Sequence, residues 1–278
     1  MLQPSDIRYY LASPSEAETE LIRIFRRDEA LVIFDIGSCE GEDSVRYARR
    51  FPEARIFAFE PLPENWPLVR RNFATHNLGN AELVPVALSD RAGDASFHVS
   101  AGSPKDFFAG ERWNYGNKSS SLLQPAKVEA MYGWIQFDRT ITVATDTLEN
   151  FCSERKIDHI DFIHMDVQGA ERLVLVGAGR MFRNVGAIWL EVSDSELYRG
   201  QPLRSDIRQL MRSNGFVCCH VVNREIEGDE LYINSRLPRM WIYLANYYFD
   251  CQVARLRFRA GAIKSRLLLF CRSLFSSR

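Results

Sequence analysis

The chain has 278 residues, of which 46% are hydrophobic and 26% charged. That balance excludes wholesale disorder, collagen-like repeats and a small disulfide scaffold. The net charge is −1, but residues 251–278 carry seven basic side chains and no acidic one, leaving 28 basic against 36 acidic residues before them. The near-neutral total gives no sign of a nucleic-acid partner, whereas the asymmetry marks the C-terminal tail as a separate segment.

Six cysteines (Cys39, Cys152, Cys218, Cys219, Cys251 and Cys271) show neither C-x-x-C nor zinc-finger spacing, so reduced thiols in a cytoplasmic protein are expected. The first apolar segment, Leu31 to Ile36, is too short and too late for a signal peptide. No apolar run is long enough to span a bilayer.

Residues 1–30 read as a helical N-terminal segment. Leu31 to Ile36 is a β-branched run ending at Gly37, the pattern of a strand buried on both faces. A helix follows from Glu42 to Phe51, with Pro52 as its stop. Arg55 to Glu60 forms the second strand, and a helix runs from about Glu64 to His76. Ala81 to Leu88 is read as the third strand, Ile160 to Val167 as the fourth and Ala187 to Val192 as the fifth. Helices follow the last two, from about Ala170 to Phe182 and Leu203 to Ser213. Phe216 to Val222 and Met240 to Ala245 complete seven strands. Strands alternating with helices predict an α/β, doubly wound, mostly parallel Rossmann-like sheet over 31–250 with an antiparallel last strand. The pattern lapses over about 95–145, where a long insertion is expected to lie near a substrate.

The chemistry gathers at the strand ends. Asp35-Ile-Gly37-Ser-Cys-Glu-Gly41 leads from the first strand into a helix, where glycine permits close backbone approach and the helix start offers free N–H groups. Glu60 ends the next strand, 19 residues after Gly41, where a carboxylate can take both hydroxyls of a ribose. A bland alternative is a tight turn beside a surface glutamate. Nicotinamide-binding turns place glycine where Asp35 stands and hold a pyrophosphate. A carboxylate repels pyrophosphate but attracts an α-amino group, so Asp35 favours S-adenosyl-L-methionine over NAD.

These segments resemble a known family. Phe34 to Gly41 is similar to the first motif of class I methyltransferases, and Phe57-Ala-Phe-Glu-Pro-Leu-Pro-Glu-Asn65 to the second motif of the FkbM-type family. Ala87-Leu-Ser-Asp90, Asp161-Phe-Ile-His-Met-Asp-Val-Gln-Gly-Ala-Glu171 and Ile188-Trp-Leu-Glu-Val192 resemble three further stretches of that family. The resemblance implies S-adenosylmethionine-dependent methyl transfer, typically to oxygen. It implies that Asp35, Gly37 and Gly41 line the methionine side, that Glu60 holds the ribose, and that Ala87, Leu88 and Ser89 lie near the adenine. Asp166, Glu171 and Glu191 would surround the reacting centre. The chain departs from the pattern at His164, where lysine is usual, and at Gln168, where glutamate is usual.

Strand alternation puts Phe162, His164 and Asp166 on one face. Methyl transfer to a hydroxyl needs a base, so Asp166 and His164 are the candidate acid/base pair and Glu191 a third catalytic candidate. A core histidine and a helix N-cap are the bland readings of His164 and Asp166. A divalent metal on Asp166, Glu191 and Asp194 is an alternative that the spacing does not demand. Phe107, Phe108, Trp113 and Tyr115 can stack on a sugar face or simply pack the insertion, and Ser119-Ser-Ser121 can line an acceptor pocket or form a turn.

In the tail, Val253, Leu256, Ala260, Ile263, Leu267, Phe270 and Leu274 share a helical stripe flanked by Arg255, Arg259, Lys264 and Arg266. That pattern suits an interfacial amphipathic helix on anionic lipid, or else a helix docked on the body or a partner. The expected activity is therefore methylation of a hydroxyl on a glycan, glycolipid or related metabolite, by a cytoplasmic protein placed peripherally at an inner membrane face. A nicotinamide-dependent oxidoreductase and a non-catalytic membrane-associated scaffold are the rival readings. The acceptor, any metal and the oligomeric state are left open by the residues.

Overall fold

The computed structural model describes residues 7–103 and 116–249. Phe107, Phe108, Trp113, Tyr115 and the tail stripe over 251–278 lie outside the described residues.

Two short helices, α1 (Ile7–Tyr10) and α2 (Glu16–Ile24), precede the sheet. The Ser15 hydroxyl caps α2 by accepting from the Glu18 amide at 3.1 Å. The strands are β1 (Val32–Ile36), β2 (Arg55–Phe59), β3 (Ala81–Val84), β4 (Ala87–Leu88), β5 (Gly93–Ala101), β6 (Gln136–Asp146), β7 (Ile160–Met165), β8 (Val185–Ser193), β9 (Phe216–Asn223) and β10 (Glu227–Asn234). Between them run α3 (Glu42–Arg50), α4 (Trp66–Thr75), α5 (Val128–Tyr132), α6 (Leu148–Arg155), α7 (Glu171–Gly177) and α8 (Arg204–Ser213).

Seven strands form one sheet in the order β3-β2-β1-β7-β8-β10-β9. Only β10 is reversed, pairing antiparallel with both β8 and β9. The doubly wound, mostly parallel expectation therefore holds, with the odd strand inserted one place in from the edge. The seventh strand is not where the sequence placed it. Met240–Ala245 lies in helical structure, a 3-10 turn at Pro238–Met240 followed by helix over 241–249, and the last strand is β10. A short apolar run has no period that separates strand from helix. The acidic start of β10, Glu-Gly-Asp-Glu, disguised a true strand as a loop.

The third strand is also corrected. Ala81 to Leu88 divides into β3, in the large sheet, and β4, which joins β6 and β5 in a second, three-stranded sheet. Pro85 stands at the break and has no N–H with which to continue the ladder. The second sheet takes up both ends of the insertion: β5 and β6 pair antiparallel, with Phe97, Val99 and Val143 in a small core beside Leu62 and Ala87.

Alternation along β1 sorts side chains between the faces of the large sheet. Phe34 and Ile36 enter the main core, where Phe34, Phe57, Phe59 and Phe151 of α6 meet with centroids 4.9–5.7 Å apart. Ile33 and Asp35 take the opposite face, toward α3. Beyond β8, Glu230 is fully buried and held by Arg204 and Arg208, at 3.2 and 2.5 Å. Glu230→Ala is expected to leave the buried Arg204 guanidinium without its innermost partner and to cost about 3 kcal/mol of stability, read by urea unfolding.

Candidate active site

The carboxyl ends of β1, β2 and β7 meet the insertion in a cleft. Gly37, Cys39, Glu60, Ala87, Leu88 and Asp166 line it, together with Asn117, Lys118, Ser120 and Gln168.

The β1 turn is built by hydrogen bonding. The amides of Gly37 and Ser38 both donate to the Phe59 carbonyl at 3.0 Å, and the Asp166 amide donates to the Ile36 carbonyl at 3.0 Å. Gly37 has φ +86, and a Cβ there would stand 1.9 Å from the Asp166 carbonyl oxygen. Gly41, with φ +76, begins α3; its Cβ would press on Phe73 and Val69 at 3.0 and 3.2 Å, so it permits the helix to seat rather than lining the cleft.

Asp35 lies behind the turn, almost fully buried. Its Oδ2 accepts from the Ser44 hydroxyl at 2.6 Å, and its Oδ1 is 3.6 Å from His164 Nδ1. Burial raises the Asp35 carboxyl to about 7, against the opposing pull of His164. His164 Nδ1 is also 3.8 Å from Asp43 Oδ2, and its ring meets Tyr47 edge-on at 5.8 Å. Burial disfavours the imidazolium, but Asp43, Asp35 and Asp166 outweigh it and raise the His164 pKa. His164 thus stands among acids on the α3 face and does not line the cleft.

Glu60 is buried at the cleft wall, and its Oε1 accepts from the Leu62 amide at 2.7 Å. Burial pushes its carboxyl up to about 8, against hydrogen bonds from Leu62, Asn65 and Cys39. Ser89 follows Leu88 out of the lining; its amide donates to the Asp146 carbonyl at 2.8 Å.

Asp166, the next residue after β7, is exposed and opens onto the cleft. Ala170, not Asp166, occupies the N-cap position of α7. Gln168 donates through Nε2 to Asp166 Oδ1 at 2.6 Å and to Glu191 Oε2 at 3.1 Å, and its Oε1 accepts from the Tyr198 hydroxyl at 3.1 Å. The amide that replaces the usual glutamate therefore bridges two carboxylates. Burial raises Glu191 well above the ordinary carboxyl range, reinforced by Asp166 and Glu227. Burial likewise takes Glu171, whose Oε1 accepts from the Gly169 amide at 3.1 Å, to about 7. Among the described residues no His, Cys, Asp and Glu group is arranged to hold a metal ion, and Asp194 is paired with Arg204 at 3.0 Å.

The insertion contributes residues that the sequence did not single out. Lys118 forms an ion pair with Glu42 of α3 and lies 3.5 Å from Cys39 Sγ. Burial opposes its charge, but Cys39 and Glu42 prevail and raise its pKa. Asn117 donates to Asn65 Oδ1 at 2.7 Å. The Ser121 hydroxyl donates to the Gln168 carbonyl at 2.7 Å, and Tyr198 donates to the Ser119 carbonyl at 2.7 Å. The serine run that the sequence did mark was the available signal for its neighbours Asn117 and Lys118. Nothing in the sequence marked Tyr198.

The residues fit S-adenosylmethionine. Ser38 Oγ is buried in the turn with no hydrogen-bond partner among the described residues, and the Cβ-free path at Gly37 brings backbone to the cleft. Glu60 offers a carboxyl to a diol, and Asp35 places an acid behind the glycine turn. Sheet order, glycine turn and acid together define a methyltransferase dependent on S-adenosylmethionine. The family model described as Methyltransferase FkbM domain matches residues 35–218. The chain belongs to the FkbM methyltransferase family.

It is 39% identical over 207 residues to the 2-O-methyltransferase NoeI of Sinorhizobium fredii, covering 74% of this chain and 80% of that protein. It is 25% identical over 236 residues to the methyltransferase sdnD of Sordaria araneosa, covering 78% and 88%. A solved SAM dependent methyltransferase from Aquifex aeolicus is similar at 12% identity with a TM-score of 0.40, covering 84% of this chain and 100% of that one.

Proposed function

We propose that this enzyme transfers the methyl group to a hydroxyl of a glycan, glycolipid or related polyhydroxylated metabolite, with Asp166 as the base. The observation that carries the reading is the Asp166–Gln168–Glu191–Tyr198 chain at the cleft. It is rich in hydrogen-bond acceptors, the groups a polyhydroxylated substrate needs. The 2-O-methyltransferase name of the relative from Sinorhizobium fredii supports oxygen as the acceptor atom.

S-Adenosylmethionine supplies an electrophilic methyl group on a sulfonium, which departs as a neutral thioether and needs no acid from the protein. The chain's work is to hold that cofactor on the Gly37 turn and Glu60, to orient the acceptor, and to remove its proton. Asp166 is exposed to the cleft and accepts a hydrogen bond from Gln168 Nε2 at 2.6 Å, which orients its carboxyl group. Glu191, raised in pKa, holds its proton more tightly and keeps a second negative charge away from Asp166.

Labelled S-adenosylmethionine offered with free sugars, lipid-linked glycans and amines tests the reading. An alkali-stable ether on a hydroxylated acceptor is expected. Asp166→Asn is expected to lower kcat by about a hundredfold or more while leaving cofactor affinity unchanged. Transfer to amines alone, or undiminished transfer by Asp166→Asn, would overturn it.

A further inference from the structure

S-Adenosylmethionine ends in an amino acid, so it brings a carboxylate to the site as well as an ammonium. Asp35 is the acid set behind the turn for the ammonium, and the carboxylate needs a counterpart of opposite charge. The charged residues that line the cleft are Glu60, Asp166 and Lys118, so Lys118 is its only cation among the described residues. A carboxylate entering between two acids gains most by meeting that ammonium.

Lys118 stands at the cofactor end of the cleft. Its Nζ lies 3.5 Å from the sulfur of Cys39, which follows Gly37 by two residues in the turn. It pairs with Glu42 in the first turn of α3, and Glu42 Oε2 accepts from the Glu40 amide at 3.0 Å. Three residues further on, Ser121 is instead bound to the Gln168 carbonyl, next to Asp166 and the acceptor side. The insertion therefore crosses from the turn to Asp166 and leaves its ammonium at the turn.

The segment that carries Lys118 is pinned on both sides. Ser100 Oγ donates to the Gly116 carbonyl at 2.8 Å and accepts from the Ser119 amide at 3.1 Å, and the Ser100 amide donates to Ser120 Oγ at 2.9 Å. Asn117 donates to Asn65, while its own Oδ1 is buried with no hydrogen-bond partner among the described residues. That oxygen is a second polar group of this wall whose bonding capacity the described chain does not fill. Holding a lysine side chain costs rotamer entropy. Here the Glu42 pair holds it before any ligand arrives, which is preorganisation for binding. The pair does not exclude a ligand, since an ammonium has three N–H donors that two carboxylates can share.

We propose that Lys118 of the insertion is the cation that binds the carboxylate of S-adenosylmethionine. The proposal concerns the cofactor and is independent of the acceptor and of Asp166 as base, because its test contains no acceptor. The full chain is titrated by calorimetry with S-adenosylhomocysteine and with S-adenosyl-3-thiopropylamine, the same molecule without its carboxylate. The wild-type protein is expected to prefer the first. Lys118→Gln, which keeps an N–H for Glu42, is expected to bind S-adenosylhomocysteine roughly thirtyfold more weakly and the amine unchanged. Lys118→Met should give the same pattern, and a melting temperature near that of the wild type shows that each variant is folded.

Equal losses for both ligands would reduce Lys118 to a tether between the insertion and α3 and overturn the proposal. A preference for the carboxylate that survives both variants does so too, and leaves the ammonium to an anionic group of the acceptor. Wild-type protein that binds the two ligands equally overturns it without recourse to any variant.

Discussion

Gly37→Ala is expected to weaken S-adenosylmethionine binding roughly a hundredfold, measured by calorimetry, and to lower the melting temperature. The residue has φ +86, and its added methyl would meet the Asp166 carbonyl oxygen at 1.9 Å and carbonyl carbon at 2.9 Å. Both obstacles are backbone, so no side chain can rotate away. The turn cannot recoil either, because the Gly37 and Ser38 amides are bound to the Phe59 carbonyl and Ile36 holds the Asp166 amide. Relief must come from separating β1 and β7 at their carboxyl ends, which displaces Asp166 from the cleft. The substitution should therefore lower both affinity and kcat. Gly79→Ala, where a Cβ meets nothing within 4 Å, should change neither.

How much of this site the sequence disclosed follows from which signals are local. Asp35, Gly37 and Glu60 sit at the ends of strands whose apolar runs are unambiguous, so their place at one edge of a parallel sheet follows from strand alternation. Lys118 and Asn117 come from the insertion, about 76 residues after Glu42 in the chain, and only the folded second sheet brings them to α3. The division of Ala81–Leu88 was announced by Pro85 but masked by apolar residues on both sides. The displacement of the last strand to β10 was hidden by Glu227, Asp229 and Glu230. These acids are stable in a strand because Arg224 meets Asp229 at 2.7 Å, Tyr132 meets Glu227, and two arginines meet Glu230. Arg224 is only five residues from Asp229, but Tyr132 and the two arginines are 95, 26 and 22 residues from their acids, beyond any local window of sequence.

His164 carries the other large expectation. Asp35→Asn is expected to lower cofactor affinity by roughly a hundredfold, on the proposal that this carboxyl, lying behind the Gly37 turn, is the counter-charge of the cofactor's α-amino group. In the unaltered enzyme the same attraction should depend on pH. Asp35, raised to about 7 by burial, accepts a proton as pH falls through that value. Affinity should therefore be highest above the Asp35 pKa and decline below it. Burial is the largest influence on this midpoint; His164 at 3.6 Å lowers it, Asp43 raises it, Ser44 lowers it by its hydrogen bond, and Glu42 raises it. His164→Gln removes the cation, so the midpoint should move to higher pH and affinity at neutral pH should fall. Asp43→Asn removes an acid, so the midpoint should move to lower pH. His164→Lys keeps a cation beside both acids and should restore the profile that glutamine shifts. Loosened packing around Tyr47 would weaken binding in all three variants in the same direction at every pH. Opposite movements of the midpoint, read from calorimetry between about pH 6 and 8, can arise only if His164 acts as the counter-charge of Asp35. A midpoint indifferent to His164→Gln would return the histidine to an ordinary core role.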